Sequence, residues 1–229
     1  MSERREVNVT ENAQTETFQP GELIGARFVV QERLRTDFTG SVYRVLDGQS
    51  QRQVECLVLH ALPEAKETLS TLREQVKRAK AFQGDAFVKL FGMGRQNQLA
   101  YVIRQATDTR PFTEHLERRS INRRFFKTRG LCSLLLEVIR GLRSLYGEQG
   151  SEGPGHLLLR PSSILINPQA RPRVRLNDLG LHPLRDQPME MSAAISSRWD
   201  QGSIAEMHGT ERPLYPDVYA LGTMLYMGF

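Results

Sequence analysis

The apolar pattern changes period halfway along the chain, and this change constrains the fold more than any other feature. Between residues 27 and 105 apolar residues gather in short runs: Phe28-Val29-Val30, Ser41-Val42-Tyr43-Arg44-Val45-Leu46, then residues 54–59, 87–91 and 99–105. Their β-branched and aromatic content suits strands, and Asp47-Gly48 between two of them is a turn signal. One interruption, over 63–82, spaces Leu69, Leu72, Val76, Ala79 and Phe82 three and four apart with charges between. That is the spacing of a helix with one buried face. Further on, Leu131, Leu134, Leu135, Val138, Leu142 and Leu145 form a long helical stripe that Gly147 terminates. Short strands at Ile164-Leu165-Ile166 and 173–176 follow, then an aperiodic loop over 184–213 and a second apolar helical pattern over 218–226. The expected fold class is α+β: five antiparallel strands and one helix, followed by a mainly helical part.

Composition narrows the function classes. Of 229 residues, 39% are apolar and 25% charged, which is ordinary for a soluble globular protein. The net charge of +5 is a modest surplus, more in keeping with a solvated surface than with a nucleic-acid-binding face. Cys56 and Cys132 are the two cysteines. They form no C-x-x-C pair, so neither a zinc site nor a disulfide framework is expected, in keeping with a reducing, cytoplasmic setting. The first 20 residues are polar and lack the apolar core of a secretory signal. No run of 18 apolar residues is present to span a bilayer.

Three short motifs carry more specific information. His156-Leu157-Leu158-Leu159-Arg160-Pro161-Ser162-Ser163-Ile164-Leu165-Ile166 resembles, without a gap, the catalytic loop H-R-D-L-K-P-x-N-I-L-I of the eukaryotic-type Ser/Thr protein-kinase family. Val174-Arg175-Leu176-Asn177-Asp178-Leu179-Gly180-Leu181 resembles V-K-L-x-D-F-G-L, and Asp217-Val218-Tyr219-Ala220-Leu221-Gly222 resembles the start of that family's central buried helix. Their order, behind a lobe of strands and one helix, makes the set specific. The resemblance implies a two-lobed protein-kinase-like fold. A tail covers 1–22, the N-lobe 23–106, and an incomplete C-lobe 107–229, which stops where the family continues with further helices.

Phosphoryl transfer in that family needs clamped phosphates, held magnesium and an oriented hydroxyl. Position by position, the resemblance implies a degenerate member, a pseudokinase. The Gly-rich loop falls on residues 35–42. Of its three glycines only Gly40 remains, and Arg35 and Asp37 stand at the other two. The strand-three lysine falls on Leu57, its helix glutamate on Gln75 beside Glu74, the catalytic aspartate on Leu158 and one metal-binding asparagine on Ser163. Asp178 retains the other metal position and, with Gly40, is a weak candidate for residual nucleotide or magnesium contact. One carboxylate without companions binds magnesium weakly, so no cofactor is expected. His156, Leu179, Gly180 and Asp217 stand at positions that are structural in the family.

The expected role is therefore a scaffold or allosteric regulator in signalling, with a protein partner. A second copy of the chain and an anionic membrane surface stay open as partners, while nucleic acid fits poorly. The candidate surface is the basic run over 118–129, with Arg118, Arg119, Arg123, Arg124, Lys127 and Arg129 around two phenylalanines. The rival readings are an atypical nucleotide-using enzyme, with Arg35 or Arg160 replacing the lysine, and an anion-binding module on this run. The expected location is cytoplasmic, as a free domain or as the cytosolic part of a longer or membrane-tethered protein. Ser192, Ser196, Ser197 and Thr210 in the long loop are candidate phosphorylation positions, and Trp199 a candidate anchor for it.

Overall fold

The computed structural model describes residues 17–36, 39–60, 66–82, 84–97, 99–121, 127–146, 156, 158–170, 173–184 and 214–228. A six-stranded antiparallel sheet is ordered β1-β2-β3-β4-β6-β5. Its strands are β1 (Leu23–Ile24), β2 (Phe28–Thr36), β3 (Gly40–Asp47), β4 (Gln53–Leu59), β5 (Leu90–Gln96) and β6 (Leu99–Gln105). The five-strand expectation is corrected by β1, a two-residue edge strand on β2, too short to carry a period. The strand expected over 87–91 is also corrected. Phe87 makes only an isolated bridge to Leu176, and β5 starts at Leu90 and continues through Gly92 and Gly94. Glycine weakens strand propensity, but the hairpin to β6 supplies the pairing that the local sequence does not.

Alternation along β4 divides the buried side chains between the two faces of the sheet. Val54, Cys56 and Val58 join an outer cluster with Phe28, Tyr43 and Tyr101. Phe18, in the stretch read as tail, packs edge-on against Tyr43 and donates its N–H to the Tyr43 hydroxyl at 3.3 Å. Leu57 and Leu59 face the other way, into the main core. Helix α1 (Lys66–Ala81) closes that side with Leu72, Val76 and Ala79, the expected helical stripe.

The second half begins with β7 (Arg110–Pro111) and helix α2 (Phe112–Ile121), which buries Phe112 and Leu116. Two large apolar anchors are too few to stand out as a stripe. Helix α3 (Thr128–Tyr146) buries Leu131, Leu135, Val138, Leu142 and Leu145. Strands β8 (Ile164–Ile166) and β9 (Val174–Leu176) pair antiparallel, with β7 on the outer side of β8. Single 3-10 turns occupy Pro161–Ser163 and His182–Leu184. Helix α4 (Leu214–Gly228) inserts Ala220 and Met224 into the core and leaves Val218, Tyr219 and Tyr226 exposed. The main cluster runs without interruption from Leu57 and Val76 to Leu158, Leu176 and Leu179, so the two lobes share one core. Among the described residues no helix is long and apolar enough to cross a membrane.

Candidate functional site: the ionic relay between the lobes

The two lobes meet where β4, β6, the 3-10 turn at Pro161–Ser163 and the end of β9 converge. Glu55 lies two positions before Leu57 on β4, opposite Arg104 of β6. Both carry charge into a buried strand, where a group must find partners or shift to its neutral form. The Arg104 Nε donates to Glu55 Oε2 at 3.1 Å, and its Nη1 donates to Asp178 Oδ1 at 3.3 Å. The other Asp178 oxygen accepts from Arg160 Nη2 at 3.0 Å. At the far end Arg35 Nη2 lies 3.7 Å from Glu55 Oε2. Thr107 donates to Glu55 Oε1 through its N–H at 3.1 Å and its hydroxyl at 3.2 Å. The result is an alternating chain, Arg35–Glu55–Arg104–Asp178–Arg160. All of its side chains except that of Arg35 are at most 2% exposed.

Among the described residues, those singled out from the sequence now have a place. Leu57 and Leu158 are buried in the shared core. Gly40 lies so close to β4 that a Cβ there would overlap the Val58 carbonyl oxygen and sit 3.0 Å from Leu57 Cδ1. Strand packing alone is thus enough to require a glycine at this position. Gln75 lines a pocket of about 270 Å³ with Arg78, Phe82, Leu145, Leu179 and His182. Its carbonyl oxygen would lie 2.8 Å from a Cβ on Gly180, whose φ is +80°. Gly180 therefore both makes the left-handed turn and lets α1 dock on it.

Ser163 uses its hydroxyl locally: it donates to the Arg160 carbonyl at 2.8 Å and accepts the Arg160 N–H at 3.0 Å. Asp178 has a φ of +63°, uncommon outside glycine. Its two ion-paired oxygens and a turn bond from Leu181 N–H to its carbonyl at 3.0 Å hold it there.

His156 is fully buried. Its N–H donates to Asp217 Oδ2 at 2.9 Å and its Nε2 donates to the Asn177 carbonyl at 2.6 Å. The Tyr146 hydroxyl donates to the same Asp217 oxygen at 2.5 Å. Burial first, then the Asp217 charge, pushes the Tyr146 phenol far above its ordinary value. Asp217 thereby ties α3, α4 and the segment before β8 together, and Leu179 packs in the core beside them. Cys56 is buried, and desolvation pushes its thiol up, the environment of a small apolar strand residue.

In the basic run, Arg118 lies 3.7 Å from Glu114 on α2, and Lys127 and Arg129 are exposed. The Arg119 side chain, Arg123 and Arg124 lie outside the described residues, as do Asp37, Ser192, Ser196, Ser197, Trp199, Thr210 and the rest of the loop over 185–213.

Glu55 and Arg104 were not singled out from the sequence. Their signal was present: a glutamate inside Val54-Glu55-Cys56-Leu57-Val58-Leu59 and an arginine after Tyr101-Val102-Ile103 each break an apolar run. A charge in a buried strand needs a counter-charge, but only the sheet register brings these two together.

No protein-family model matches the chain, and no curated protein does either. Solved structures do. The crystal structure of a variant of the Mycobacterium tuberculosis PknI kinase domain superposes with a TM-score of 0.70 at 16% identity, covering 93% of this chain and 77% of that one. The crystal structure of the M. tuberculosis PknI kinase domain gives 0.67 at 16% identity, over 93% and 76%. This chain has a protein-kinase-like fold. Within that fold, the relay occupies the seam between the small lobe and the large one, and the motif around Asp178 starts the segment that leads away from it.

Proposed function

We propose that this chain is a pseudokinase domain, one that scaffolds or regulates a protein partner and does not transfer phosphate. The observation that carries the proposal is the relay itself. It lies in the seam in which the family resemblance puts nucleotide phosphates and magnesium, and its side chains there are paired and buried. The residues present are a poor match to a magnesium nucleotide. Both oxygens of Asp178 are engaged by guanidinium groups, so a magnesium ion would have to displace two cations from one carboxylate. Glu55 adds a second negative charge beside the seam. Leu57 supplies no cation for a phosphate, and Leu158 supplies no carboxylate for a hydroxyl proton. Arg35 and Arg160, the two cations that an unorthodox enzyme would recruit, lie against Glu55 and Asp178. The solved neighbours are kinase domains by name. Their shared fold supports the architecture, and these departures support a role in binding.

Partner control needs a partner that prefers one arrangement of the lobes over another, and the relay is the charged part of the contact that joins them. The deciding experiment is calorimetry of ATP binding, with and without magnesium, alongside a phosphotransfer assay with labelled ATP. The expected result is no saturable heat, no shift in melting temperature at millimolar nucleotide, and no transfer. Transfer that disappears in Asp178→Ala overturns the proposal.

A further inference from the structure

We propose that the outer face of the small lobe, on the side of the sheet away from α1, carries a separate binding site for a small organic acid with a flat aromatic body. A hollow of about 540 Å³ opens there between the β1–β2 turn, the β3–β4 turn and strands β5 and β6. Its volume falls in the range of sites for drug-sized molecules. Phe28 and Tyr101 meet edge to face at 6.2 Å and, with Val54, Phe91 and Ile103, make the apolar wall. Phe91 is 45% exposed, so the apolar wall of the hollow reaches the surface.

Two independent observations point to an occupant. The first is Gly92. It stands opposite Ile103 in the β5–β6 pair, and a Cβ built on it meets no atom within 4 Å. Neither crowding nor a left-handed backbone demands a glycine, yet the side chain that would fill the hollow is missing. A glycine in a strand interior is unfavourable and marks either a bulge, and a register shift does fall between Leu90 and Gly92, or the close approach of another group. The second observation is the charge at the rim. Arg27 is committed to Asp47, with its Nε 2.6 Å from Oδ1, and lies over the Phe28 ring at 5.2 Å. Asp47 also accepts from Ser50 and from the Gln49 N–H, so its charge is compensated. Arg52 is exposed at the same rim; its carbonyl accepts the Asp47 N–H at 2.9 Å, while its guanidinium makes no hydrogen bond or ion pair among the described residues. An apolar slot with one uncommitted guanidinium at its edge complements a ring system bearing a single carboxylate or sulfonate.

The probe is anilinonaphthalene sulfonate, titrated into the full chain and read by fluorescence. Saturable one-to-one binding is expected, unaffected by excess ATP. Gly92→Leu and Gly92→Phe fill the hollow and should abolish the signal while leaving the melting temperature unchanged. Arg52→Ala is an exposed change that leaves the fold intact, and it should weaken the sulfonate about tenfold, the value of one charge-assisted hydrogen bond. The neutral parent, anilinonaphthalene, should bind wild type and Arg52→Ala equally. Absence of saturable binding to wild type, wild-type affinity in Gly92→Leu or Arg52→Ala, or displacement by ATP each overturns the proposal.

Discussion

At the scale of single residues, the relay makes sharp demands because charge is costly to bury. Arg104 satisfies two carboxylates at once. Removing it takes one cation from each, leaving Arg35 near Glu55 and Arg160 on Asp178, and breaking a buried pair from one side costs about 3–5 kcal/mol. Arg104→Met should therefore lower stability by about that amount in denaturant unfolding. Gly180→Ala is expected to cost about 1–3 kcal/mol, because a methyl group at positive φ also meets the Gln75 carbonyl oxygen. Equal stability of this variant and wild type would remove Gly180 from the docking of α1. Asp47 contributes a pH dependence. The Arg27 hydrogen bond holds its carboxyl well below the usual 3.8, against the opposing effect of burial. A depressed carboxyl stabilises the fold above its unfolded value, and the contribution is lost as pH falls through the folded one. Melting temperature should fall between roughly pH 5 and pH 2, with a flatter decline in Asp47→Asn.

Elements were legible where their own period was strong. The stripe on α3 and the stripe on α1 could be read from spacing, and the buried faces fall where that spacing put them. Leu136 and Ile139 of α3 point outward, 51% and 44% exposed, as the same 100° geometry requires. Leu135→Ala should cost about 2–5 kcal/mol in equilibrium unfolding, and Leu136→Ala within about 0.5 kcal/mol. Strand β1 and helix α2 were not legible, because two residues and two apolar anchors are held by neighbours rather than by propensity. Strand β5 was displaced for a related reason: Gly92 and Gly94 hide a strand whose hydrogen bonds come from β6.

Across the whole molecule, the relay is the polar counterpart of the shared apolar core. It runs from β2 through β4 and β6 to the segments around β8 and β9, so it reports on how the lobes sit together. A double-mutant cycle between Arg104→Met and Asp178→Leu should show a coupling of about 0.5–3 kcal/mol, with the pair less damaging than the sum. Simple additivity would mean that the two groups do not act as one unit across the seam.

The motifs around Leu57, Leu158 and Asp178, the order of strands before helices and the main helical stripes were all present in the sequence. They are local properties, set by side-chain type and by periods of two and 3.6 residues. What the seam between the lobes holds was decided only by the tertiary structure. Glu55, Arg104, Asp178 and Arg160 are separated by up to 123 positions along the chain, and charge attraction acts through space, without regard to sequence distance. Sheet register placed Glu55 opposite Arg104, and the docking of the large lobe brought Asp178 and Arg160 to them, so that buried charges of opposite sign alternate across the seam.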